Sequence, residues 1–96
     1  MRTLSSIRQY RPKIEEISAR HGIDRLRVFG SLARGDNEED SDVDFLVKLH
    51  EKRDLLDLIA FSHEVGDVLH CKVDVVSEDG VRPYLREHIF KEAVFL

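Results

Sequence analysis

Ile7, Tyr10, Ile14 and Ile17 recur at alternating steps of three and four, a spacing that lays one apolar stripe along a helix. Thr3 is placed to cap its start, and Pro12 interrupts the run. The interruption predicts either a kink or a short first helix followed by a second that starts near Pro12. His21 falls in the last turn and Gly22 at the residue just past it. From Arg25 to Phe29 polar and apolar residues alternate, which predicts a strand that ends at Gly30. Ser31 to Ser41 reads as a brief helical turn and an acidic loop. Val43 to Leu49 is a second strand.

Asp54 is the expected N-cap of a helix with Leu55, Leu58, Ile59, Ser62, Val65 and Leu69 on one face. Lys72 to Val76 is a third strand, and Asp79-Gly80 marks a turn. Pro83 opens a last helix with Leu85, Ile89 and Ala93 facing inward. Helix, strand, strand, helix, strand, helix is the order of an α/β fold. It predicts a small mixed sheet of three to four strands with helices packed on it.

The 96 residues are the length of a single domain, 1–96, with room for one small core. Fifteen Lys and Arg against nineteen Asp and Glu leave a net charge of −4. A fold so balanced has no global pull toward nucleic acid, so any polyanion must be held locally, by a metal or by a few placed donors. Cys71 is the one cysteine, which rules out an intrachain disulfide and a cysteine zinc cluster. No stretch approaches the roughly 18 apolar residues of a membrane helix, and the cytoplasm is the expected compartment.

Within this frame Asp42 and Asp44 stand two apart at the start of a strand, so both carboxylates take one face while Val43 and Phe45 take the other. Asp74, between Val73 and Val75 in the third strand, repeats the pattern. If those strands pair, about 4.8 Å apart, three carboxylates converge. Two like charges about 4 Å apart repel by roughly 4 kcal/mol at an effective dielectric of 20. Such a cluster calls for divalent cations, and oxygen ligands suit Mg²⁺ or Mn²⁺. Gly30-Ser31 ends the first strand where a helical turn begins. Backbone N–H groups there, the Ser31 hydroxyl and the Arg34 guanidinium are candidate donors to a phosphate.

Gly30-Ser31, ten residues, and then Asp42-Val43-Asp44 resemble the signature of the DNA polymerase beta-like nucleotidyltransferases. Asp74 is similar in placement to their third carboxylate. The fuller run Gly-Ser-Leu-Ala-Arg-Gly-Asp, then Ser-Asp-Val-Asp-Phe-Leu-Val, resembles the minimal nucleotidyltransferases in particular, across nearly the whole chain. That resemblance implies the polymerase beta-like fold and two Mg²⁺ ions held by Asp42, Asp44 and Asp74. It implies ATP as substrate, with Gly30 and Ser31 on its β- and γ-phosphates. It implies a catalytic role for Asp74 beside the acceptor hydroxyl. It further implies an antitoxin that transfers AMP to a tyrosine of a HEPN-type toxin partner. Because larger relatives carry an extra domain, a partner or a second copy in a homo-oligomer is expected to complete the site. The alternative is an antitoxin that masks its partner by stoichiometric binding, with little or no catalysis.

Simpler readings stand beside these. A lone Asp-x-Asp is usually a pair of solvated acids, Ser31 serves equally as a helix cap, and Arg34 divides evenly between phosphate contact and surface charge. Asp36, Glu38, Glu39 and Asp40 read as a solvated loop. His21, His50, His63, His70 and His88 show no ligand spacing; His63 and His70 are two turns apart, about 10 Å. Cys71 is expected to be small, buried or half-buried filling.

Overall fold

A computed structural model describes residues 2–96. Pro12 resolves the first helix into two. α1 (Leu4–Arg8) is closed by a capping box at Thr3, and α2 (Arg11–Arg20) carries the proline in its first turn, where a missing N–H costs nothing. His21 and Gly22 end α2, with Gly22 at φ +69°. β1 (Ile23–Phe29) runs into a single helical turn, α3 (Gly30–Arg34). After the acidic loop come β2 (Val43–Leu49) and α4 (Leu55–Leu69), the latter capped by the Asp54 side chain. β3 (Val73–Ser77), a 3₁₀ turn at Glu78–Gly80, α5 (Pro83–Glu92) and β4 (Val94–Phe95) complete the chain.

The sheet is mixed, in the order β3-β2-β1-β4. β2 runs parallel to β3 and antiparallel to β1, and β4 pairs antiparallel with the free side of β1. β2 is therefore central, and Val43, Phe45, Leu46 and Val47 are all at most 1% exposed. On one face Val28, Val43, Phe45, Val47 and Val73 meet Ile14 and Ile17 of α2 and Phe61 and Val65 of α4. Phe45 and Phe61 pack edge to face, with ring centroids 6.0 Å apart. His21 ties α2 to α4 by bonding Glu64, and that bond holds the Glu64 carboxyl below its ordinary range.

The other face is covered differently. The turn after β3 folds against β2, and α5 lies over α3 and β1. Arg27 of β1 holds this cover in place. Its Nη2 donates to Glu78 Oε2 at 2.9 Å, and its guanidinium lies 4.9 Å from the Phe90 ring. The Arg86 guanidinium also lies over the Phe90 ring, 4.4 Å from its centroid, and donates to the Glu78 carbonyl at 2.7 Å. Arg8 fixes the end of the chain by donating to the carbonyls of Phe95 and Leu96. α5 is thereby clamped, and its last residue is delivered to the start of α3.

Several expected positions differ. Leu55 and Ile59 are 67% and 44% exposed; the buried stripe of α4 is Phe61, Val65 and Leu69, with Leu58 half-buried beside it. At roughly 100° per residue Ile59 points about 160° away from Phe61, so it cannot share that stripe. Tyr10 is exposed because it sits at the break between α1 and α2. Leu85 is exposed too, since α5 meets the domain through its C-terminal half. β1 begins at Ile23 rather than Arg25, and β3 spans Val73–Ser77 rather than 72–76.

Candidate active site

The carboxylates gather at the edge where β2 and β3 begin. Val43 pairs with Val73 and Asp44 with Asp74, so these two aspartates are direct neighbours on parallel strands. On its other side Asp44 pairs with Phe29, the last residue of β1. Gly30 follows at once, with φ +77°. A Cβ there would lie 2.3 Å from Asp44 Oδ2, so the carboxylate rests against the bare glycine backbone. Asp42 lies just before β2, half-buried, with Lys72 Nζ 3.7 Å from its Oδ2.

Electrostatics mark Asp44 as the centre of the group. Its carboxyl is pushed up from 3.8 to about 6, first by burial and then by the charges of Asp74, Asp42 and Glu92, with Arg34 opposing. A half-buried acid in the field of three others lacks neutralising charge, and that is the condition a divalent cation relieves. The hard oxygen donors of Asp42, Asp44 and Asp74 fit Mg²⁺. Among the described residues no three His, Cys, Asp or Glu side chains already form a metal cluster. The backbone brings the three aspartates to one edge, and their side chains still have to turn toward a common ion.

Gly30, Ser31 and Arg34 lie beside them in α3, with Ser31 half-buried in its first turn. The Gly30 N–H already donates, to Glu92 Oε2 at 3.0 Å. Arg34 pairs with Glu92 Oε1 and, through Nε, with Asp36 Oδ2 at 3.0 Å. These bonds hold the guanidinium protonated. Glu92 and Lys72 are the neighbours that residue patterns did not reveal. Glu92 lies 62 residues from Gly30 at a helix end, where a charged residue is unremarkable.

Of the remaining candidates, Asp36 comes near this edge through Arg34, and His88 Nε2 lies 4.0 Å from Glu92 Oε1. Asp36, Glu38, Glu39 and Asp40 are exposed. His63, His70 and Cys71 line a hollow of about 600 Å³ by the end of α4, which adjoins the site through Lys72 and Val73. Cys71 is half-buried, and burial pushes its thiol up, away from reactivity.

This geometry has known counterparts. A family profile described as "Nucleotidyltransferase domain" matches residues 7–96. A Methanocaldococcus jannaschii protein named as a protein adenylyltransferase is 39% identical over 93% of this chain and 96% of its own length. A solved structure described as a minimal nucleotidyltransferase is 44% identical, with a TM-score of 0.87, covering 99% of this chain and 97% of the other. The fold also matches, at a TM-score of 0.70 and 15% identity, a structure of tri-AMPylated Shewanella oneidensis HEPN toxin in complex with MNT antitoxin. There the likeness covers 93% of this chain and 70% of the other.

Proposed function

The chain belongs to the nucleotidyltransferase-domain family and is a nucleotidyltransferase; on that premise we propose that it transfers AMP from ATP to a tyrosine of a HEPN-type toxin partner in the cytoplasm. The observation that carries the chemistry is the pairing of Asp44 with Asp74 directly beside the Gly30 backbone, with Asp42 adjoining. A protein acceptor is supported by relatives named for protein adenylylation, and a toxin partner by the fold shared with a toxin–antitoxin complex.

Asp42, Asp44 and Asp74 would hold two Mg²⁺ ions, which when bound supply Lewis-acid stabilisation of the attacking and leaving oxygens. Gly30 N–H and the Ser31 hydroxyl donate to the phosphate oxygens, and glycine lets a phosphate approach the backbone closely. Arg34 offers a charged fork to the same oxygens. Asp74 takes the proton from the tyrosine hydroxyl as that oxygen attacks the α-phosphorus. A tyrosyl O–P bond forms, the bond from the α-phosphorus to the bridging oxygen breaks, and pyrophosphate leaves with the electron pair. A second copy or the toxin itself completes the open side of the site.

A label placed on the α-phosphate of ATP is expected to appear on the toxin, while a γ-label leaves as pyrophosphate. Transfer of the γ-label would instead mark a kinase and overturn the reading.

Masking by stoichiometric binding is favoured by one feature, the exposed Leu55, Leu56 and Ile59 on α4. The two readings separate on Asp42→Asn: neutralisation of the toxin is expected to be lost with the fold intact, and its survival would favour masking.

A further inference from the structure

Glu92 is largely enclosed, charged and absent from the chemistry above, yet it bonds two of the site's donors. Its side chain is 10% exposed. Oε2 accepts the Gly30 N–H at 3.0 Å, Oε1 is paired with the Arg34 guanidinium, and His88 Nε2 stands 4.0 Å from Oε1. Burial acts to raise this carboxyl, but the bonds from Arg34 and Gly30 outweigh it and hold the group below its ordinary range. An anion is thus seated on two of the donors assigned to the nucleotide's phosphates. It also lies close enough to Asp44 to add to that residue's repulsion.

A carboxylate and a phosphate oxygen ask for the same partners: a backbone N–H and a planar guanidinium fork. Both anions cannot occupy Gly30 N–H and Arg34 together, and the repulsion from three aspartates makes a fourth fixed charge there expensive. The clamp on α5, made by Arg27, Arg86 and Glu78 around Phe90, keeps Glu92 close by even when its side chain turns away.

We propose that Glu92 is an internal stand-in for the nucleotide's phosphate, occupying Gly30 N–H and Arg34 in the empty protein and yielding them when the triphosphate binds. The inference rests on the assignment of Gly30 and Arg34 to the phosphates. Its consequence is a nucleotide affinity set below what the donors alone would give. A seat free for one tenth of the time raises the apparent Kd about tenfold. Arg34 keeps its bond to Asp36 and exchanges Glu92 for the phosphate.

The test is calorimetric titration of the intact protein, its Glu92→Gln variant and its Glu92→Asp variant with Mg²⁺ and the non-hydrolysable analogue AMP-PNP. Both variants are expected to bind about fivefold to tenfold more tightly than the parent, because an amide lacks the charge that pairs with Arg34 and a shortened carboxylate does not reach both donors. The Gly30 amide resonance of each empty variant is expected to shift away from its position in the empty parent. Glu92→Asp keeps the charge, so it guards against a folding defect in the amide variant. Unchanged or weaker binding in a folded variant overturns the proposal and makes Glu92 a structural or ligating residue. A parent that binds no nucleotide at all overturns the reading on which the proposal rests, and the proposal with it.

Discussion

Asp44→Asn is expected to lower transfer by about 10³-fold or more and, in the same protein, to raise the stability of the metal-free fold at neutral pH. Loss of activity follows from removing a carboxylate proposed to hold the metals. The gain in stability follows from the cause of its raised carboxyl. The folded protein favours neutral Asp44, whose carboxyl rises from 3.8 to about 6 through burial and the charges of Asp74, Asp42 and Glu92. An acid raised in the fold costs stability as pH climbs from 3.8 through 6, and above 6 the cost is fully present.

A shift of about two units corresponds to roughly 3 kcal/mol, and solvent screening of a half-buried group reduces this to about 1–2 kcal/mol. In a domain of this size that is a rise of about 4–8 °C or somewhat more in melting temperature. Thermal melts in chelator at pH 5 and pH 8 check the sign. The advantage of Asp44→Asn is expected to be about half as large at pH 5 as at pH 8. Added Mg²⁺ should stabilise the parent and leave the variant unchanged. An ordinary surface aspartate would show neither effect.

Gly30→Ala is the second large effect, and here activity and stability fall together. The backbone at φ +77° is strained for any side chain, at about 1 kcal/mol or more. The new methyl would also sit 2.3 Å from Asp44 Oδ2 and 3.2 Å from its Cγ, so the carboxylate must swing away. Displacing a positioned catalytic group by about 1 Å costs on the order of 10²-fold in rate. Gly35 supplies the control. It has a similar φ of +80°, but a Cβ there meets nothing within 4 Å. Gly35→Ala should therefore lose comparable stability from the backbone alone while retaining most of its transfer rate. Steady-state kinetics and melts on the two variants separate strain from steric contact.

The residues made much of this arrangement legible. Pro12 divided the first stripe where the two helices divide, and Asp54 capped α4. Val43 to Leu49 was legible as a strand, though not its central place in the sheet, and the shared spacing of Asp42, Asp44 and Asp74 brought the carboxylates to one edge once those strands paired. What stayed hidden depends on tertiary contact. β4 has only two residues, too few to show an alternation. α4 carries more apolar residues than one stripe can hold, so Leu55 and Ile59 competed on paper with Phe61 for the core. The pairing of Arg27 with Glu78 and the reach of Glu92 to Gly30 join residues 51 and 62 apart, beyond any local period.

The central claim, that this edge of the sheet transfers adenylyl groups to a protein, is tested most directly by the intact mass of the proposed HEPN-type toxin partner. The toxin would be incubated with this protein, Mg²⁺ and ATP, beside an Asp42→Asn control. A mass gain of one or more adenylyl groups on the toxin, absent from the control, is the predicted result. An unchanged toxin mass while a stable, neutralising complex forms would contradict the account and leave an antitoxin that acts by contact.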